Sequence, residues 1–379
     1  MKTFRKTQVY AEGKGIVRTD VTFDTHIRSL ENSAGDAIDL PGNAMVLPAF
    51  IDQHVHGAGG ADTMDGTVAA LSVMADVLAK EGTARFLATT MTQSDQNTRR
   101  ALRAVKAYRE SERAEGAGLL GVHLEGPFIS PKHIGAQPAE YVILPDTALF
   151  DAWQNESGNA VRLVTLAPEQ EGALALIRHI VQCGVRVSAG HTDAGYEQIC
   201  AAVQQGATCV THTYNAQKGL HHREIGTVGA ALYCNDLYTE LIADTVHVSV
   251  PAMQLLYKNK PRGKVILITD AIRAKGAGEG ESELGGQPVF VRGGEARLLN
   301  GALAGSVLAM NVAVRNMIEK TGVPLCEAVD CATADPAKHL GVFNEYGSIR
   351  EGKRADFAVV DEHMRVIMTV RDGEIVYKA

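Results

Sequence analysis

Apolar residues along the chain fall in short runs that stop at a polar side chain, and these runs alternate with stretches of helical period. The run at 45–51 leads into Asp52, Gln53, His54, Val55 and His56. Successive strand side chains alternate faces, so His54 and His56 point the same way. Gly57, Gly59 and Gly60 then let the backbone turn close to whatever the two rings face. Further strands are predicted at 85–92, 119–127, 161–169, 185–192, 208–215, 237–244 and 264–271. Helices are predicted between them at 67–80, 97–115, 171–183, 194–205 and around 251–257. In the first of these, Leu71, Met74, Ala75 and Leu78 share one stripe and Gly82 ends it.

Eight strands alternating mostly with helices predict an α/β chain built on a (β/α)8 TIM-like barrel over 49–345. Residues 275–300, rich in Gly and Glu, read as a hairpin over the barrel mouth, followed by helices at 306–320 and 325–333. Both chain ends have β texture without helical period. Residues 1–48 and 346–379 are therefore expected to pair into one small β-sandwich domain.

Composition narrows the function. The chain has 379 residues, 45% apolar and 21% charged, as in an ordinary globular protein. A net charge of −7 and 5% aromatic content offer no platform for nucleic acid or a membrane surface. The six cysteines form no CxxC pair and read as free thiols in a reducing compartment. The first residues lack the apolar core of a signal peptide, and no apolar run reaches membrane-spanning length; a cytoplasmic location is expected.

Chemistry concentrates at the predicted strand ends. His54 and His56, Glu125, His191, His212 and Asp270 close the first, third, fifth, sixth and eighth strands. In a (β/α)8 barrel those ends open on one face, where active sites are built. Imidazoles and carboxylates are the ligand types for zinc or iron(II). Asp270 is placed either as a general base beside water acidified by a cation, or as a further ligand. Lys218, His221, His222 and Arg223 form a local basic cluster in an acidic chain.

The motifs PAFIDQHVHGAGGADTMDG, GVHLEGPFISPKHIGAQP, SAGHTDAGYEQ, THTYNAQKGLHHREIG, IADTVHV, LITDA and LAGSVLAMNVAVRNM, with the segment ATADPAKHLGVFNEYGSIREGKRADFAVVD, resemble the N-acetylglucosamine-6-phosphate deacetylase family of the amidohydrolase superfamily. The resemblance spans essentially the whole chain. It implies hydrolysis of an acetamide to acetate and an amino-sugar phosphate. It also implies that Glu125, His191 and His212 are the principal metal ligands, with Glu125 bridging to a second ion held by His54 and His56. One or two divalent ions per subunit, zinc or iron, follow, with Asp270 as the catalytic acid/base.

By the same resemblance Asn215 and Ala216 receive the sugar phosphate, and Arg223 and His247 are its charged partners. Arg223 would reach the neighbouring subunit's site in a homodimer. Ala136, Asp244, Leu303, Ala304 and Gly305 match other substrate-contact positions. Gln137 stands where some relatives have a histidine that polarises the acetyl carbonyl. His123 is expected to support the ligands, and His133, His179, His339 and His363 to be structural or exposed. The galactosamine epimer is the rival substrate; a cyclic-amide hydrolase and a non-catalytic sugar-phosphate-binding protein are more distant readings.

Overall fold

The structure, a computed structural model, describes residues 1–111 and 113–379. Eight parallel strands form one sheet in chain order: β1 (Phe50–Val55), β2 (Thr83–Thr90), β3 (Gly118–Glu125), β4 (Val161–Leu166), β5 (Arg186–Ala189), β6 (Cys209–Val210), β7 (Tyr238–Ile242) and β8 (Val265–Ile268). The ends of β1 and β8 close the ring: Asp270 N–H donates to the His54 carbonyl at 2.9 Å, and His56 N–H to the Ala271 carbonyl at 2.9 Å. This is the expected (β/α)8 barrel.

Helices Val68–Ala79, Asp95–Glu110, Ala173–Gln182, Tyr196–Gln204 and Val250–Asn259 lie where helical period predicts them. The helix expected to run to 115 stops at Glu110; residue 112 lies outside the described residues. Helices Thr147–Glu156 and Gly226–Tyr233 are additional.

The run at 45–51 is not one strand. Met45–Pro48 pairs with Phe357–Val360 in a second sheet, while Phe50–Val55 enters the barrel. Residues on both sides of Ala49 are buried and apolar, so hydrophobicity alone hides the break.

The second sheet takes strands from both chain ends: Lys2–Ala11, Gly15–Phe23, Ile27–Ser29, Asp36–Ile38, Met45–Pro48, Phe357–Val360, Val366–Arg371 and Glu374–Lys378. It curls on its own core. Phe23 and Phe357 sit three strands apart, about 14 Å in a flat sheet, yet their ring centroids are 5.1 Å apart, with Phe4 wedged between them.

Residues expected to form a hairpin make a three-stranded antiparallel sheet instead, Gly280–Leu284, Gln287–Arg292 and Glu295–Leu298. It is latched to the loop after β3, where Gln287 Nε2 donates to the Ala136 carbonyl at 2.7 Å. Among the described residues, no helix is long and apolar enough to cross a membrane, and all six cysteines are free.

Candidate active site

Every ionisable strand end predicted from the sequence lies at one mouth of the barrel. The predicted fifth, sixth and eighth strands stop before their histidine or aspartate because the backbone turns left-handed there. His191, His212 and Asp270 have φ of 47°, 29° and 48°. L-residues enter this region at a cost, and it recurs where a site demands a particular side-chain direction. Gly305, at φ 57°, packs against the same place: an added Cβ would lie 2.5 Å from Ile272 Cγ2 and 2.9 Å from the Asp270 carbonyl.

Two clusters share Glu125. In the first, His191 Nε2 and His212 Nε2 lie 3.2 and 2.9 Å from Glu125 Oε1, and 3.1 Å from each other. His191 Nδ1 donates to the His133 carbonyl at 2.8 Å and His212 Nδ1 to the Asn215 carbonyl at 3.1 Å. A carbonyl only accepts, so both rings carry their proton on Nδ1 and present a bare lone pair at Nε2. Two lone pairs and a carboxylate oxygen thus converge with no proton between them when the rings are neutral. In the second cluster, His56 Nε2 lies 3.2 Å from Asp270 Oδ1 and 3.2 Å from Glu125 Oε2, and His54 Nε2 lies 3.4 Å from Asp270 Oδ1 and 3.4 Å from Glu125 Oε1. Both sets are compact enough to hold an ion, and buried His54 Nε2 has no hydrogen-bond partner. The donor types, and the pinned tautomers of His191 and His212, fit divalent metal.

The electrostatics agree. Burial alone would raise the Glu125 carboxyl, but the His54 and His191 imidazoles facing it hold it well below the usual range. Burial likewise opposes ionisation of Asp270, and the His54 and His56 charges outweigh it. His123 is driven down to about 3 by burial and then by the His54 charge. It stays neutral, with its ring edge-on to His54 at 4.5 Å.

A cavity of about 140 Å³ opens over the clusters. Ala136, Gln137, Asn215, Ala216, His247, Leu303 and Gly305 line it together with His56, Glu125, His191, His212 and Asp270. Asp244 stands behind the wall, where its Oδ2 accepts from His247 Nδ1 at 2.6 Å. Ala304 is buried beside the three-stranded sheet, its N–H donating to the Ala296 carbonyl at 3.0 Å. Arg223 is exposed on the turn at 221–224 and does not reach the cavity of its own chain.

Gln137 lines the cavity and is also tied to its neighbours. Its Nε2 donates to Glu125 Oε2 at 2.7 Å, and its Oε1 accepts from Thr92 N–H at 2.7 Å. Sequence reasoning missed Met91 and Leu284, the apolar side of the cavity, and Glu240, buried in β7 against His54. A carboxylate inside the apolar run LYTELIAD was the available signal for Glu240.

Residues 45–376 match the amidohydrolase family. The chain is 44% identical over 342 residues to the N-acetylglucosamine-6-phosphate deacetylase of Bacillus subtilis, covering 90% of this chain and 86% of that protein. It is 42% identical over 331 residues to the N-acetylgalactosamine-6-phosphate deacetylase of Escherichia coli O157:H7, covering 87% of each. The crystal structure of N-acetylglucosamine-6-phosphate deacetylase from Thermotoga maritima superposes with a TM-score of 0.91 at 34% identity, over 100% of both chains.

Proposed function

The chain belongs to the amidohydrolase family, and from that premise we propose that it hydrolyses N-acetyl-D-glucosamine 6-phosphate to D-glucosamine 6-phosphate and acetate. The observation that carries this reading is the convergence of two bare imidazole nitrogens on Glu125 Oε1, beside the Asp270 carboxylate in the cavity wall. Relatives bearing that deacetylase name match nearly the whole chain.

Glu125, His191 and His212 would hold one divalent ion, and His54 and His56, with Glu125 and Asp270 adjoining, would hold a second; zinc or iron(II) suits this donor set. The ion supplies a Lewis acid that acidifies water and polarises a carbonyl. Asp270, ionised, accepts a proton as water oxygen bonds to the acetyl carbon. It returns that proton to the amide nitrogen as the C–N bond breaks, so acetate and the amine leave. Gln137 holds Glu125 in place, and burial of Glu125 and the histidines keeps these charges effective.

Asn215, Ala216 and His247 face the sugar phosphate, with Asp244 orienting His247. Ala136, Leu303, Ala304 and Gly305 shape the remaining wall through side chain and backbone. Arg223, with a planar donor fork suited to phosphate oxygens, serves the neighbouring subunit's cavity in a homodimer. The reading places the enzyme in the cytoplasm, with residues 1–48 and 346–379 as a small domain supporting the catalytic barrel of 49–345.

The test compares turnover of N-acetylglucosamine with and without its 6-phosphate. Acetate release should strongly favour the phosphorylated sugar. Equal rates would remove the phosphate-binding assignment, and no acetate from either would remove the hydrolase.

A further inference from the structure

A line of buried polar groups runs from the first-strand histidines down the inside of the barrel. Glu240 sits at its centre on β7, with no exposed surface. Its Oε2 accepts from His54 Nδ1 at 3.1 Å and from the His212 backbone N–H at 3.2 Å. Its Oε1 accepts from Gln53 Nε2 at 2.7 Å. Gln53 Oε1 in turn accepts from His339 Nδ1 at 2.9 Å, and His339 Nε2 meets the Thr208 hydroxyl at 3.1 Å.

Each proton on this line has one consistent place. A carboxylate accepts only, so the Gln53 amide must turn its NH2 toward Glu240 and its oxygen toward His339. His339 then carries its proton on Nδ1 and accepts the Thr208 hydroxyl proton on Nε2. The same logic puts a proton on His54 Nδ1, so that the neutral ring aims its Nε2 lone pair at Asp270 and Glu125.

We infer that Glu240 is a positioning residue: it fixes the tautomer and ring direction of His54 and, through the His212 backbone, ties the first-strand ion site to the Glu125–His191–His212 site. This rests on the two-ion reading above. Glu240 touches neither cavity nor substrate, so it acts only through His54 and His212. A carboxylate behind a ligating imidazole commonly tunes ion affinity by 10–100-fold.

The experiment separates reach from charge. Metal-depleted protein is titrated with Zn²⁺ against a chromogenic chelator, in wild type, His54→Ala, Glu240→Gln, Glu240→Asp and Glu240→Leu. Glu240→Gln keeps the reach and an acceptor for His54, because the Gln53 amide and the His339 tautomer can both reverse in step. It should hold both ions more tightly than Glu240→Asp or Glu240→Leu does. Glu240→Asp keeps the charge but withdraws the oxygen by one methylene, and Glu240→Leu removes the acceptor. Both should weaken the ion at His54 and His56 by roughly 10–100-fold and the ion at Glu125, His191 and His212 less, and only that smaller loss should remain in a His54→Ala background.

Glu240→Asp binding like wild type, or weakening both ions equally, would overturn the inference. So would Glu240→Gln binding worse than Glu240→Asp. If Glu240→Leu does not fold, the Asp and Gln pair decides alone. A wild type that takes up one ion, unaltered by His54→Ala, would instead overturn the two-ion reading on which the inference stands.

Discussion

His191 Nε2 and His212 Nε2 lie 3.1 Å apart, each with its Nδ1 proton committed to a backbone carbonyl. In the neutral rings two lone pairs face each other across a buried gap, an arrangement that is favourable only around a cation. Ion binding therefore belongs to the folding free energy as well as to catalysis. At a thousandfold excess over Kd one ion adds about 4 kcal/mol. Chelation should lower Tm by several degrees and abolish turnover, with both restored by Zn²⁺. A Tm indifferent to chelator would contradict the assignment.

Asp270 Oδ1 lies 3.2 Å from His56 Nε2 and lines the cavity. Asp270→Asn keeps the shape but cannot accept a proton at the same atom. Turnover should fall by roughly 10²–10⁴-fold, while the ion at Glu125, His191 and His212 stays bound by elemental analysis. Turnover near wild type would remove the proton-transfer role.

Arg223 is exposed and away from its own cavity. If it completes the neighbour's site, Arg223→Ala and Asp270→Asn should each be weak alone yet complement when unfolded and refolded together. Random pairing makes half the dimers mixed, each with one intact site, so about a quarter of wild-type activity should return. Activity no greater than the average of the two parents would show that Arg223 does not act across subunits.

Burial first, then the Arg186 and Lys264 charges, lower the His339 imidazole to about 3 from 6.5. Between these values the unfolded chain binds a proton that the folded chain excludes. The contribution is full above pH 6.5 and is lost as pH falls toward 3, at about 1.4 kcal/mol per pH unit. His339→Gln removes that proton from the balance. Urea unfolding between pH 6 and 4.5 should show stability falling less steeply in the variant by about one proton. Identical slopes would mean that His339 is protonated in the fold.

The barrel was legible because each of its strands is an apolar run of the right length, and the site because five of those runs stop at a histidine, glutamate or aspartate. The strand break at Ala49 was not, since Leu47 and Phe50 are both fully buried, one in each sheet's neighbourhood. Gly226–Tyr233 has small and apolar residues nearly all round, so it carries no helical stripe. The left-handed turns at His191, His212 and Asp270 shortened three strands in a way that propensity does not encode. Gln137 shows a further limit: its residue type suggests a substrate donor, and only the fold reveals that it also bonds Glu125 and the Thr92 backbone. Glu240 is distant in sequence from every ligand it supports, and only the closed ring brings it to His54.

Relatives of both epimeric specificities match this chain at comparable identity, so the most direct measurement is paired acetate release from N-acetylglucosamine 6-phosphate and N-acetylgalactosamine 6-phosphate, each with and without prior chelation. The account predicts faster release from the gluco epimer, lost on metal removal and regained with Zn²⁺ or Fe²⁺. Faster release from the galacto epimer, or release that survives complete metal removal, would contradict it.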